Sequence, residues 1–441
     1  MGLRLVHSSN KNGQPLALLD LGSSKVCCLI VGAPVSDAPE PRIGATLPVR
    51  KLGFGLTRSR GIRAGAVVDL AEAEEALTAA VGEAETQAGF RIEEAIVAVT
   101  SGRIQSLNFA TSTKPAGNSI SSADIDKMLA AGRAFAERDG RKVLHLQRLG
   151  FRLDGQFGIR NPRGMTGERL SLDLNAVTAD ETALRNLGNL LARSYLAVTA
   201  NVAAPFASAL ATLGEEELQT GAAVIDMGAG TTSFAVFRDG LFLSAGSIAQ
   251  GGHQLTQDIA RAFSVPVMQA ERIKALYGNL VGAMSDEHEY VPLTHGGNST
   301  ATGSIPTRAQ LRRIIQPRID EQLQLVREQI ARCKVNGQGP ERLVLTGGAS
   351  QLAGLCEVAA RQFGCPVRVG RPRALAGMEP AAETPDLSAL VGLAYAALLP
   401  GAIGRTTDAA PANPADYVGR MKRWFKDSFW DDEQPAEPHS A

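Results

Sequence analysis

Cysteine is scarce, five in 441 residues, with no C-x-x-C pair and no spacing that suits zinc. Cys27, Cys28, Cys333, Cys356 and Cys365 are expected as buried free thiols in a reducing compartment. Net charge is lacking altogether, since 45 Lys and Arg stand against 45 Asp and Glu. Bulk nucleic-acid binding needs a field of uncompensated cations, so no nucleic-acid partner is expected and any basic patch must be local. Long apolar runs are missing too. No window approaches the roughly 20 residues of a membrane span. The apolar run at 16–19 is closed by Asp20, well short of the about 7 residues of a signal-peptide core. The expectation is a soluble cytosolic protein, unless something attaches it to a surface.

What the chain does have is a repeated device. Residues 16–19 read as a buried strand, ended by Asp20-Leu21-Gly22-Ser23-Ser24, with an answering apolar strand over 26–31. Further on, Ala222-Ala223-Val224-Ile225 leads into Asp226-Met227-Gly228-Ala229-Gly230-Thr231-Thr232, and 233–237 answers. Two copies of one strand–turn–strand unit predict a duplicated α/β fold with a cleft between its halves. Between the copies lie an amphipathic helix over 70–87, capped by Asp69 and stopped by Gly89, and helices over 181–192 and 203–213. A stretch of short strands around one helix reads as an insertion. After the second copy come Asp239-Gly240 as a hairpin turn, helices over 251–262, 267–277 and 307–333, and a strand over 343–345 that runs into Thr346-Gly347-Gly348-Ala349-Ser350.

This arrangement suits a nucleotide. Gly22, Gly228 and Gly230 let backbone N–H groups approach phosphate oxygens, and the hydroxyls of Ser23, Ser24, Thr231 and Thr232 add donors. Asp20 and Asp226 are expected to face each other. Facing carboxylates repel unless a cation or ordered water separates them, so Mg²⁺ held through water is the expected occupant. Lys25 is placed to reach a β-phosphate, and the flat Gly347-Gly348 pair offers a platform for a purine.

The order of the two phosphate hairpins and the Gly-Gly element resembles that of the actin, Hsp70 and sugar-kinase superfamily. Within it, residues 16–430 resemble the FtsA family of bacterial cell-division proteins. The matching stretches are Arg60-Gly61-Ile62-Arg63-Ala64-Gly65, Val143-Leu144-His145, Gly158-Ile159-Arg160-Asn161-Pro162-Arg163-Gly164, Pro317-Arg318 and Leu343-Val344-Leu345-Thr346-Gly347-Gly348-Ala349. The resemblance implies duplicated actin-like, ribonuclease H-like domains with a 1C insertion. Its boundaries are an N-terminal segment without structure at 1–15, subdomain 1A at 16–90 and 173–215, and 1C at 91–172. Subdomain 2A follows at 216–250 and 331–400, with 2B at 251–330. It also implies an ATP site, with Glu271 and Lys274 at the ribose and base and Gly251, Gly252 and Ser350 among the nucleotide contacts. The implied partners are the C-terminal peptide of FtsZ on 2B, other copies in a filament, and further division proteins on 1C. Three departures stand out: Ser23-Ser24 replace the usual Gly-Thr, Ala229 interrupts the second glycine turn, and Arg313 stands where the family often has Glu. The groove residues for the FtsZ peptide are therefore not carried over.

Fast hydrolysis needs a base or a water-positioning residue by the γ-phosphate. The segment 203–210, which would supply one, contains no Gln, Glu, Asp or His. Slow ATPase activity at most is expected.

A Gly/Ala/Pro/Thr-rich linker at 401–414 precedes a final apolar pattern at 415–430, and 431–441 is expected to be a disordered tail. On a helical wheel Val418, Phe425 and Phe429 cluster within about 40°, extended by Tyr417, Met421 and Trp424, with Trp430 at the end. Arg420, Arg423 and Lys426 lie opposite, and Lys422 sits at the boundary. This is the pattern of an interfacial membrane helix, whose four cations each gain about 1 kcal/mol near anionic lipid. One such helix binds reversibly, and a filament presenting many binds firmly. The expected place is the cytoplasmic face of the inner membrane at midcell. The competing readings are a PilM-type pilus-assembly relative, which usually works without such a tail, and a small-molecule kinase. The kinase would need a catalytic carboxylate and a sugar pocket, and neither motif is found.

Overall fold

The computed structural model describes residues 4–5, 15–32, 43–101, 103–292, 306–332, 339–373, 375–378 and 383–399. The expected linker at 401–414, the helix at 415–430, the tail and Cys333 lie outside them.

Two five-stranded sheets repeat one topology. In the first, Leu16–Leu21 is central. It pairs antiparallel with Lys25–Val31, which pairs antiparallel with Lys51–Arg58; on the other side it runs parallel to Glu94–Val99, which runs parallel to Ala197–Ala203. In the second, Ala222–Met227 is central. Thr232–Arg238 and Leu241–Ile248 follow antiparallel on one side, and Arg342–Thr346 and Val367–Val369 parallel on the other. The central strands are buried on both faces, and their unbroken apolar runs reflect this. Leu18, Leu19 and Leu29 fill the first core. In the second, Ala223 and Ile225 face the long helix Arg308–Arg332, while Ala222 and Val224 turn to the opposite side.

That opposite side meets helix Ala204–Thr212, and helix Ser388–Leu398 lies between it and the first sheet, so the two form a layer between the sheets. Ala204–Thr212 and Ser388–Leu398 are apolar nearly all round and are buried accordingly. The boundary at 331–400 puts the last helix with the second unit, but it packs on the first sheet and on Ala204–Thr212. The correction has a simple cause: a helix with no polar face must be covered on every side. Helix Leu70–Ala88 begins and ends as expected. Asp69 accepts from Ala71 and Glu72 N–H, and Gly89 takes the left-handed conformation.

The insertion is a four-stranded antiparallel sheet in the order Gln156–Ile159, Arg141–Leu153, Leu170–Asp180, Gln105–Thr113. Helix Ser122–Ala136, started by a Ser121–Asp124 capping box, covers one face through Ile125 and Met128. The sheet begins at Gln105 and ends at Asp180, later at both ends than the expected 91–172. Glu94–Val99 is instead a strand of the first sheet, as its continuous apolar run requires. Arg4–Leu5 pairs in parallel with Phe90–Arg91, so two rungs of backbone bonding order part of a segment expected to have none.

The inserted sheet is fastened to both halves. His145 accepts the Ala203 N–H at 3.0 Å and packs against Phe206 and Phe242, with centroids 4.6 and 5.8 Å away. The Ala245 N–H donates to Ser106 Oγ at 2.6 Å, and Asn175 donates to the Leu243 carbonyl.

Candidate nucleotide site

The two turns close alike. Gly22 N–H donates to Lys25 O at 3.0 Å, and Gly228 N–H donates to Thr231 O at 2.9 Å. The flanking registers match as well, Asp20 opposite Cys27 and Asp226 opposite Ser233. Identical four-residue turns therefore place the two carboxylates equivalently at the ends of the two central strands. Ala229 fits its turn because it is not among the residues with positive φ.

The turns meet. A Cβ on Gly230 would stand 2.5 Å from Ser23 Oγ and 2.9 Å from Ala64 N, while Ser23 Oγ accepts the Gly65 N–H at 3.1 Å. Ala64 and Gly65 both have positive φ, so the Arg-Gly-Ile-Arg-Ala-Gly stretch forms the tight bend on which both turns rest. Behind the second turn, the N-terminus of helix Gly252–Phe263 donates from Gly252 to Gly228 O at 2.9 Å and from His253 to Ala229 O at 2.7 Å. Gly251 has no room for a side chain against Gly228 O, and its own carbonyl accepts from buried Gln322 at 3.1 Å.

Asp20 and Asp226 sit in a low-dielectric environment. Burial, then the charge of Asp226, pushes Asp20 up to about 6. Burial also pushes Asp226 up to about 6, although it accepts a hydrogen bond from Ser208 Oγ and lies in the field of Lys25. Both carboxylates therefore resist ionisation together.

Lys25 is already paired. Its ammonium donates to Asp386, in the single helical turn Pro385–Leu387. The Gly-Gly element packs beside it. Gly347 has φ +84°, and a Cβ there would collide with Asp226 Oδ1. Ser350 Oγ donates to Gly347 O at 2.7 Å, so this hydroxyl locks the turn it ends. Thr232 Oγ1 likewise donates to Gln250 O at 2.9 Å. Lys274 donates to Gly252 O at 3.1 Å, to Thr256 Oγ1 at 3.0 Å and to Glu271 at 2.7 Å. A Cβ on Gly252 would lie 3.3 Å from Lys274 Nζ and 3.4 Å from the Ala349 Cβ, so the two helices and the Gly-Gly element converge on one place.

A cleft of about 430 Å³ opens over the 59–72 stretch and His253, and none of the residues expected to hold the nucleotide lines it. Arg60, Ile62, Arg63, Asp69, Glu72 and His253 are among its lining residues, and Gly347 and Gly348 are not. Sequence reasoning missed Ser208, Asp386 and His253 as neighbours of the turns. Only His253 had a local signal, standing directly after the Gly-Gly pair that opens its helix. Among the described residues no helix is long and apolar enough to cross a membrane, and no group of three or more His, Cys, Asp or Glu is placed to hold a metal.

The model of the family described as "Cell division protein FtsA" matches residues 223–392, and that of the "SHS2 domain inserted in FTSA" matches 101–178. The cell division protein FtsA of Rhizobium meliloti is 37% identical over 437 residues, covering 97% of each chain. That of Escherichia coli K12 is 29% identical, covering 93% of this chain and 97% of its own. Among solved structures, a chain of the PilM–PilN type IV pilus biogenesis complex is similar with a TM-score of 0.59 at 19% identity, covering 88% of this chain and 99% of its own, which is a likeness of fold. With paired sheets of one topology, an SHS2 insertion between them and near full-length relatives, this chain belongs to the FtsA family of cell division proteins and has the actin-like fold of that family.

Proposed function

We propose that this chain binds ATP between its two turns, polymerises on the cytoplasmic face of the inner membrane at midcell, and tethers the FtsZ ring there during septum assembly. The observation that carries the reading is the mirrored pair of turns, each bringing an aspartate and close-packed backbone N–H groups to one junction, with the Gly-Gly element and Lys274 alongside. In this reading Gly22, Ser23, Ser24, Lys25, Gly228, Gly230 and Thr231 face the phosphates. Glu271, Lys274, Gly347 and Gly348 face the nucleoside. Thr232, Gly251, Gly252 and Ser350 support the backbone that does so.

The donor set fits Mg²⁺. Asp20 and Asp226 are half-buried carboxylates with raised pKa values, and Lys25, which lowers both, is committed to Asp386. Asp20 and Asp226 would hold the ion through water, and it would neutralise the phosphates. Hydrolysis is slow in this account. Helix Ala204–Thr212 presents Ser208 to the site, and that hydroxyl is spent on Asp226 rather than on orienting an attacking water.

The subdomains follow as 1A around the first sheet, 1C as the insertion, 2A around the second sheet, and 2B as helices Gly252–Phe263, Val267–Tyr277 and Arg308–Arg332. The FtsZ peptide is assigned to 2B and later division proteins to 1C. The aromatic and basic segment at 417–430 favours this reading over a PilM-type role. Electron microscopy on anionic lipid monolayers tests it: ordered filaments are expected with Mg-ATP and not without it, and bare monolayers under both conditions would refute it.

A further inference from the structure

Lys25 and Asp386 are 361 positions apart in the chain and meet inside the proposed ATP site. The pair is half-buried, with side chains 19% and 33% exposed. Asp386 belongs to the turn that carries the chain from the second sheet to the helix between the sheets. That turn is bolted to the Gly-Gly strand. Gly347 N–H and Thr346 Oγ1 both donate to Pro385 O, at 3.0 and 3.1 Å, and the Thr346 and Ser388 hydroxyls are 2.7 Å apart. A Cβ on Gly348 would lie 3.5 Å from the Asp386 Cβ. The carboxylate thus spans the space from the purine platform to the phosphate lysine.

We propose that Asp386 is a built-in anion that competes with the nucleotide phosphates for Lys25 and thereby sets the affinity of the turn junction for ATP and ADP. This rests on the reading of the turn junction as an ATP site. An ammonium bonds a carboxylate and a phosphate oxygen by the same charge-assisted donation, so each phosphate contact to Lys25 must be gained against Asp386. The fixed carboxylate also repels the incoming triphosphate. Burial opposes the charge on Asp386, yet Lys25 holds its pKa below the ordinary carboxylate range, so at neutral pH the competitor is ionised. The opposite role, Asp386 orienting Lys25 toward phosphate, predicts the opposite sign.

The test is calorimetric titration of the full chain with Mg-ATP, Mg-ADP and adenosine, comparing wild type with Asp386→Asn and Asp386→Ser, each checked for folding by thermal melt. Either folded variant is expected to bind ATP and ADP about tenfold more tightly, the scale of one charged hydrogen bond, with adenosine unchanged. In a Lys25→Met background most of that gain is expected to vanish. Unchanged or weaker ATP binding by the folded variants would overturn the proposal while leaving the ATP site standing. No ATP binding by wild type would remove the site and this inference together.

Discussion

Gly230 of the second turn stands against Ser23 of the first, so closely that a side chain at 230 would begin 2.5 Å from the Ser23 hydroxyl oxygen. The two halves therefore touch through their turns, and whatever enters between them must part this contact.

Removing one half-buried charge is expected to stabilise the junction. Asp20 titrates at about 6 in the folded protein against 3.8 ordinarily, so the folded state holds its proton more tightly. Stability associated with this group is fully present below about pH 4 and is lost as pH rises through about 6. Asp20→Asn is expected to raise the stability of the nucleotide-free protein by about 2 kcal/mol at pH 7.5 and by roughly a third of that at pH 4.5. Urea unfolding at both pH values checks it. Comparing variant with wild type isolates this group from carboxylates with lowered pKa, such as Glu217. A gain that is equal at both pH values would contradict the assignment.

The two glycines of the platform are expected to separate. Gly347→Ala meets both a positive φ and Asp226 Oδ1, so a loss of at least about 2 kcal/mol is predicted. Gly348→Ala finds 3.5 Å of room and an ordinary φ, so stability should hold. ATP affinity should nevertheless fall if the purine lies on this surface as proposed, because the added methyl would rise from it. Melting curves and nucleotide titrations of both variants report the difference.

His145 anchors the insertion. His145→Ala removes an acceptor from the buried Ala203 N–H and leaves a void beside Phe206 and Phe242, for an expected loss of about 3 kcal/mol. His145→Phe fills the void but orphans the N–H, so an intermediate loss is expected by denaturant titration.

Truncation before residue 417 should abolish co-sedimentation with anionic liposomes while leaving ATP affinity unchanged. Unaltered pelleting would place membrane attachment elsewhere in the chain.

The local devices were legible in the sequence because each carries its own chemistry. The Asp-x-Gly turns, the Asp69 cap and Gly89 stop of helix Leu70–Ala88, and the left-handed Asp239-Gly240 turn all followed from residue types at short spacing. The pairing of Lys25 with Asp386 did not, since nothing near either residue refers to the other. Ser208 carries no such signal, because a lone serine in an apolar helix does not announce that it donates to Asp226. The seat of helix Ser388–Leu398 was hidden for a related reason: an all-apolar helix declares that it is buried, not against which sheet. His145 stood out as part of a family resemblance, with no signal for the partner it would find.

The central claim is that Asp20 and Asp226 take a nucleotide only together with its metal. Calorimetric titration of the full chain with ATP, in saturating Mg²⁺ and again in EDTA, tests it directly. The account predicts binding with Mg²⁺ that weakens by about 10-fold or more without it, and loss of that dependence in Asp20→Asn. Equal affinity with and without Mg²⁺, or a dependence that survives in Asp20→Asn, would contradict it.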